Sequence, residues 1–122
     1  MQNPDKLRVA QAAEELAVLV YEYTAAFPAS GRFGLAFQLR RTAVSIGSSI
    51  YEGAGRRTKK LFAASLDVSH GEGSELLFQT RLARRLDFGD PKLGSRVRRD
   101  AENLRRMLFN LIGSVEGGGG KG

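Results

Sequence analysis

The amino-acid sequence predicts an all-α protein, an antiparallel up-down-up-down four-helix bundle that is homo-oligomeric. Three observations carry the bundle; the oligomer follows from features of the second helix. Apolar residues recur at alternating steps of three and four through four separate segments, the spacing of a helix with one buried face. Short connections marked by Pro and Gly separate the segments, and short connections make successive helices antiparallel neighbours. No segment reads as a strand, and no internal repeat is evident.

The first helix is expected over about 4–27, with Val9, Ala13, Leu16, Val20, Tyr23 and Phe27 on its stripe. Asn3-Pro4 reads as a cap followed by a first-turn proline. Phe27-Pro28 reads as its end, because the residue before proline is pushed out of helical geometry. The second helix, about 33–54, has two stripes. Ala36, Leu39, Ala43, Ile46 and Ile50 form one; Phe33, Phe37, Val44 and Tyr51 form the other. Only Gln38, Arg41, Ser45, Ser49 and Glu52 are left to face outward. So broad an apolar arc exceeds what one bundle core requires, which makes this helix either central or part of a subunit contact. Gly53 and Gly55 read as its C-terminal stop.

Thr58 is placed to cap the third helix, about 58–87, whose stripe is Phe62, Leu66, Ser69, Gly73, Leu76, Thr80 and Ala83. Gly71 and Gly73 each weaken it by roughly 1 kcal/mol relative to alanine. They predict a close helix approach or a kink. Asp90-Pro91 opens the fourth helix, about 91–115, with Val97, Ala101, Leu104, Leu108, Leu111 and Val115 on its stripe. Residues 1–116 thus form one domain. The Gly-rich tail, 117–122, has no side chains to bury and is expected to be disordered.

Composition narrows the chemistry. With no cysteine, there are no disulfides, thiolate metal sites or cysteine nucleophiles. The N-terminus lacks the basic and apolar blocks of a signal peptide, and no apolar run approaches the ~20 residues that span a bilayer. A soluble, cytoplasmic protein without a membrane partner is the expectation. The net charge is +6, and Arg outnumbers Lys in a set of 19 cations. Arginine's planar fork suits phosphate or carboxylate, so polyanions are natural partners.

Residues Phe33 to Arg57 carry a further signal. Phe33-Gly34-Leu35, Gln38-Leu39-Arg40-Arg41, Ala43-Val44-Ser45-Ile46 and Glu52-Gly53-Ala54-Gly55-Arg56 resemble the signature of a family of small bacterial four-helix proteins. These are named after intervening sequences in 23S ribosomal RNA genes. Arg56-Arg57-Thr58-Lys59-Lys60, Gly71 and Glu75 are also family-like, and the similarity covers about residues 5–115. Gly47 departs from the pattern, since members often carry proline near that point. The resemblance implies a homo-oligomer with a pentamer as the expected number, because known members form homopentameric rings. A more distant relative is an accessory protein to the reverse transcriptase of diversity-generating retroelements. The resemblance implies no defined activity.

Four constellations remain. Arg40 falls in the apolar arc of the second helix, and a buried guanidinium needs a carboxylate. Arg40 with Glu75 is the expected structural ion pair, with Glu72 and Glu52 as other candidate partners. Second, Arg81, Arg84, Arg85, Arg98, Arg99, Arg105 and Arg106 are the expected nucleic-acid-binding residues. Two arginine pairs seven residues apart stack along the fourth helix, and such a stripe can track phosphates. Phe109, on the side of Arg98 and Arg105, is placed to stack a base or fill a subunit contact. A solvated helix face with Asp100 and Glu102 as local partners is the bland reading of the same residues. Third, Glu52 to Lys60 lacks the spacing of a phosphate loop and follows a helix, so it reads as a helix end. Fourth, His70 with Glu72 and Glu75 makes neither a metal site nor a triad. No catalytic residue, metal, cofactor or small-molecule substrate is expected. The favoured function is a non-enzymatic protein binding RNA or DNA; a protein-interaction or scaffold module is the alternative.

Overall fold

The computed structural model describes residues 4–29 and 34–121. Four helices account for nearly all of them: α1 Pro4–Thr24, α2 Leu35–Ala54, α3 Lys59–Arg85 and α4 Pro91–Lys121. Among the described residues there is no strand. α1 packs on α2 and α4, α3 packs on α2 and α4, and the diagonal pairs do not meet. Each contact is antiparallel, since positions rise on one helix as they fall on its neighbour. Ile46 and Ser45 face Ser69 and Glu72, whereas Gly53 faces Ser65 and Phe62. On the other seam, Arg84 faces Ser95 and Gly73 faces Arg105.

The four stripes become the core. Val9, Leu16, Val20, Tyr23, Leu39, Ile46, Ile50, Leu66, Leu76, Leu104 and Leu108 are each 2% exposed or less. Leu19, Ala63 and Ile112 join them from positions just beside the stripes. Burial of such side chains is worth roughly 1.5–3 kcal/mol each, which is what closes the bundle.

The helix ends follow local chemistry. Thr58 accepts from the Leu61 amide at 3.1 Å, and Asp90 accepts from the Lys92 amide at 2.9 Å, so both expected caps form. α1 stops at Thr24, short of the predicted 27. The Phe27 amide turns back to the Thr24 carbonyl at 3.1 Å, and Phe27 leaves the helix to pack edge-on against Tyr23. α3 ends in a Schellman motif: the Phe88 amide reaches the Ala83 carbonyl and the Asp87 amide the Arg84 carbonyl. That motif needs a left-handed residue, and Asp87 supplies it at φ 58. α4 runs past the predicted end at 115. Within this extension Gly117 has open space beside it, since an added Cβ would meet nothing within 4 Å. The expected cap Asn3, and Phe33 of the second stripe, lie outside the described residues. Among the described residues, no helix is long and apolar enough to cross a membrane.

Three expected environments are corrected. Gly53 does not stop α2 as a left-handed cap; the helix closes on Gly55 at φ −90. Gly53 is buried against α3, where an added Cβ would come within 2.5 Å of Ser65 Cβ. Ser45 and Ser49 do not face outward. Both are half-buried and donate to Glu72 of α3, at 2.5 and 3.2 Å. Gly71, expected at a close approach or kink, has open space beside it; only Gly73 admits a neighbour, the stem of Arg105. Gly53→Ala should therefore destabilise the protein by about 1–3 kcal/mol through overpacking. Gly71→Ala should stabilise it by up to ~1 kcal/mol through helix propensity. Urea unfolding of the two variants checks the opposite signs.

Candidate nucleic-acid interface

The seven arginines do not form one stripe. The last two turns of α3 place Arg81, Arg84 and Arg85 beside the start of α4, and Arg98 faces them from the second turn of that helix. These four side chains line a single groove of about 600 Å³. Leu77, Phe88 and Pro91 give it apolar walls. Phe88 is held by an edge contact to Phe27, with ring centroids 5.5 Å apart. Asp87 and Glu102, both exposed, line it as well.

The turn that carries Phe88 rests on Tyr23. Gly89, at φ 73, and Gly94 both approach Tyr23 so closely that an added Cβ would come within 2.9 Å of it, at the ring from Gly89 and at the hydroxyl from Gly94. The Tyr23 hydroxyl is buried without a hydrogen-bond partner among the described residues. Burial pushes its pKa up, against an opposing pull from Arg84.

The four arginines differ in what holds them. Arg98 pairs with Glu102 at 3.3 Å, and Arg84 donates to Ser95 Oγ at 3.1 Å. Arg81 and Arg85 are exposed and make no hydrogen bond or ion pair with a described residue. Arg84 and Arg85 also sit in the last turn of α3, where cations favour the helix dipole.

The other three lie elsewhere. Arg99 pairs with Asp100 at 3.3 Å, and Arg106 donates to Asn103 at 2.9 Å, both on the exposed face of α4. Arg105 is half-buried on the α3 seam, with its stem in the space left by Gly73 and its Nε 3.4 Å from the His70 carbonyl. Burial, with Arg105 nearby, holds the His70 pKa below its ordinary value, and Asp67 opposes this. Phe109 is 67% exposed and lies near His70, away from the groove.

Arg40 has a different partner from the expected one. Its Nε donates to Thr24 Oγ1 at 2.8 Å, and its guanidinium lies 4.6 Å from the Tyr21 ring centroid. Being only half-buried, it keeps part of its hydration and needs no carboxylate. Glu75 is exposed beside Arg41 and Gln38. No ion pair among the described residues joins Arg40 to Glu75; the four that occur are Arg8–Asp5, Arg56–Glu52, Arg98–Glu102 and Arg99–Asp100. Arg40→Ala should cost about 1–2 kcal/mol, from one hydrogen bond and one cation–π contact. Glu75→Ala should stay within about 0.5 kcal/mol of the parent. Thermal unfolding of both separates this arrangement from a buried pair, in which either loss is severe.

Arginines grouped on a groove with apolar walls, at one end of a helical bundle, define a surface suited to an anionic partner. The family model of the 23S rRNA-intervening sequence proteins matches residues 5–110. The chain belongs to that family. A protein of unknown function from the S23 ribosomal protein family of Bacteroides thetaiotaomicron has a similar fold, with a TM-score of 0.77. It is 19% identical, and the alignment covers 88% of this chain and 97% of that one. No curated protein matches the chain.

Proposed function

We propose that this protein is a non-enzymatic, homo-oligomeric nucleic-acid-binding protein, and that the groove between α3 and α4 is where it meets phosphate. The convergence of Arg81, Arg84, Arg85 and Arg98 on one concavity carries the reading. Guanidinium forks bind phosphate oxygens in pairs, and Arg81 and Arg85 would give up no protein partner to do so. The family's association with 23S rRNA genes makes RNA the first polyanion to try.

Two apolar surfaces support self-association. Phe37, Val44 and Tyr51 of α2, and Val18 and Tyr21 of the α1 that packs on it, are exposed. On α3, Leu61 with Val68 and Phe78 with Leu82 form two further exposed pairs, about 15 Å apart with Glu75 between them. Two unlike patches on one subunit suit head-to-tail contacts that close into a ring, in keeping with the pentamer that the family resemblance implies. A ring repeats the arginine groove, so individually weak phosphate contacts add.

A salt titration tests the binding. The affinity for single-stranded RNA should fall linearly on a log–log plot, with a slope of about −0.7 per phosphate neutralised. Absence of binding to RNA and DNA at low salt would turn the reading toward a scaffold that meets only proteins.

A further inference from the structure

The groove has more specific chemistry than a phosphate track requires. It is a half-open concavity of about 600 Å³, and that size falls within the range of small-molecule sites. Its charges are local. Four guanidinium groups set against the carboxylates of Asp87 and Glu102 leave +2. A phosphodiester carries one negative charge, whereas a phosphate monoester carries about −1.5 to −2 near neutral pH. The first turn of α4 lies at the same place, with Pro91 on the wall, but the C-terminal end of α3 lies there too, so the two helix dipoles oppose each other and the guanidinium groups supply the positive charge. Beside the cations, Leu77 and Phe88 offer a surface on which a flat ring can lie. Phe88 is already fixed by its contact with Phe27, so little order is lost when a ring docks.

We infer that this groove binds a nucleoside 5′-monophosphate group, with the phosphate monoester among Arg81, Arg84, Arg85 and Arg98 and the base against Leu77 and Phe88. The inference rests on the nucleic-acid reading above and narrows it from any phosphate to a terminal one. The same group occurs at the 5′ end of a strand and as a free nucleotide. Arg99 and Arg106, two further basic residues of α4, lie outside the groove, on an exposed face where the following phosphodiesters can pass.

The test compares one short single-stranded RNA carrying a 5′-phosphate with the same strand ending in a 5′-hydroxyl. Fluorescence anisotropy with a 3′ label follows the intact protein, and AMP and adenosine serve as competitors. The phosphorylated strand should bind at least tenfold more tightly. Arg81→Gln with Arg85→Gln should erase that preference while far-UV circular dichroism stays unchanged. Asp87→Asn keeps a residue that tolerates the left-handed backbone, removes a rim charge, and should sharpen the preference. Competition by AMP but not adenosine would assign the site to free nucleotides as well as strand ends. Equal affinity for both strands, with no competition by AMP, would overturn the inference and leave general phosphate binding standing. No binding of either strand at low salt would overturn both.

Discussion

Replacing Arg81, Arg84, Arg85 and Arg98 together by glutamine should lower the affinity for single-stranded RNA roughly a hundredfold at physiological salt. The magnitude is a ceiling set by counterion release: where each arginine neutralises one backbone phosphate, four phosphates at about 0.7 ions each shift the log–log salt slope by about 3, and a strand held there by its terminal phosphate alone loses less. Three of the four are exposed in the last two turns of α3 and the fourth in the second turn of α4, so none contributes to the core. Helix content should be unchanged. Removing Arg98 releases Glu102, but exposed i,i+4 pairs are worth only about 0.3–0.5 kcal/mol. As a control, Arg56→Gln with Arg57→Gln removes two cations from the α2–α3 loop at the opposite end of α3 and should cost far less affinity. If the control and the groove variant lose the same affinity, net charge rather than the groove drives binding.

If the proposed oligomer forms through α2, Val44→Glu with Tyr51→Glu should convert it to a particle of 13.3 kDa. Val44 and Tyr51 lie two turns apart on one face of α2 and are 48% and 60% exposed in the single chain. Between them and α1 runs a shallow depression of about 300 Å³, lined by Ala13, Ala17, Ala43 and Gly47. Small residues there let another helix come close, whereas a proline at Gly47 would bend α2 at this point. A carboxylate in such an interface loses its water with no cation to replace it, a penalty of several kcal/mol for each copy. In the isolated subunit both positions face solvent, so the fold should hold. Light scattering gives the mass directly. An unchanged oligomer in the variant would move the proposed subunit contact to the exposed apolar residues of α3.

Much of this architecture was legible from residue spacing, and the failures have physical reasons. Stripe residues such as Leu66, Leu104 and Ile46 are buried because a helical period needs no knowledge of the neighbour. Caps at Thr58 and Asp90 are equally local. Pairing between helices is not. Ser45 and Ser49 look like solvent-facing hydroxyls until Glu72 arrives from α3, and no signal on α2 announces it. Arg40 invited a carboxylate across the α2–α3 seam, yet its partners, Thr24 and Tyr21, come from α1. The arginines were recognisable as a group but not as a site. Arg98 and Arg105 share a helix face, but about 10 Å of helical rise separates them. That rise places one in the groove and the other on the His70 carbonyl. Phe88 was missed because it belongs to no stripe. The Asp87-Phe88-Gly89-Asp90-Pro91 turn was the available sign that a side chain would be held between α3 and α4.

The most direct measurement follows arginine Nε–Hε resonances while a 5′-phosphorylated single-stranded RNA is titrated in. Arg81, Arg84, Arg85 and Arg98 should shift first and furthest, with Arg8, Arg56 and Arg57 as unmoved references. Leading shifts at Arg56 and Arg57, or equal small shifts over every exposed arginine, would contradict a binding groove between α3 and α4.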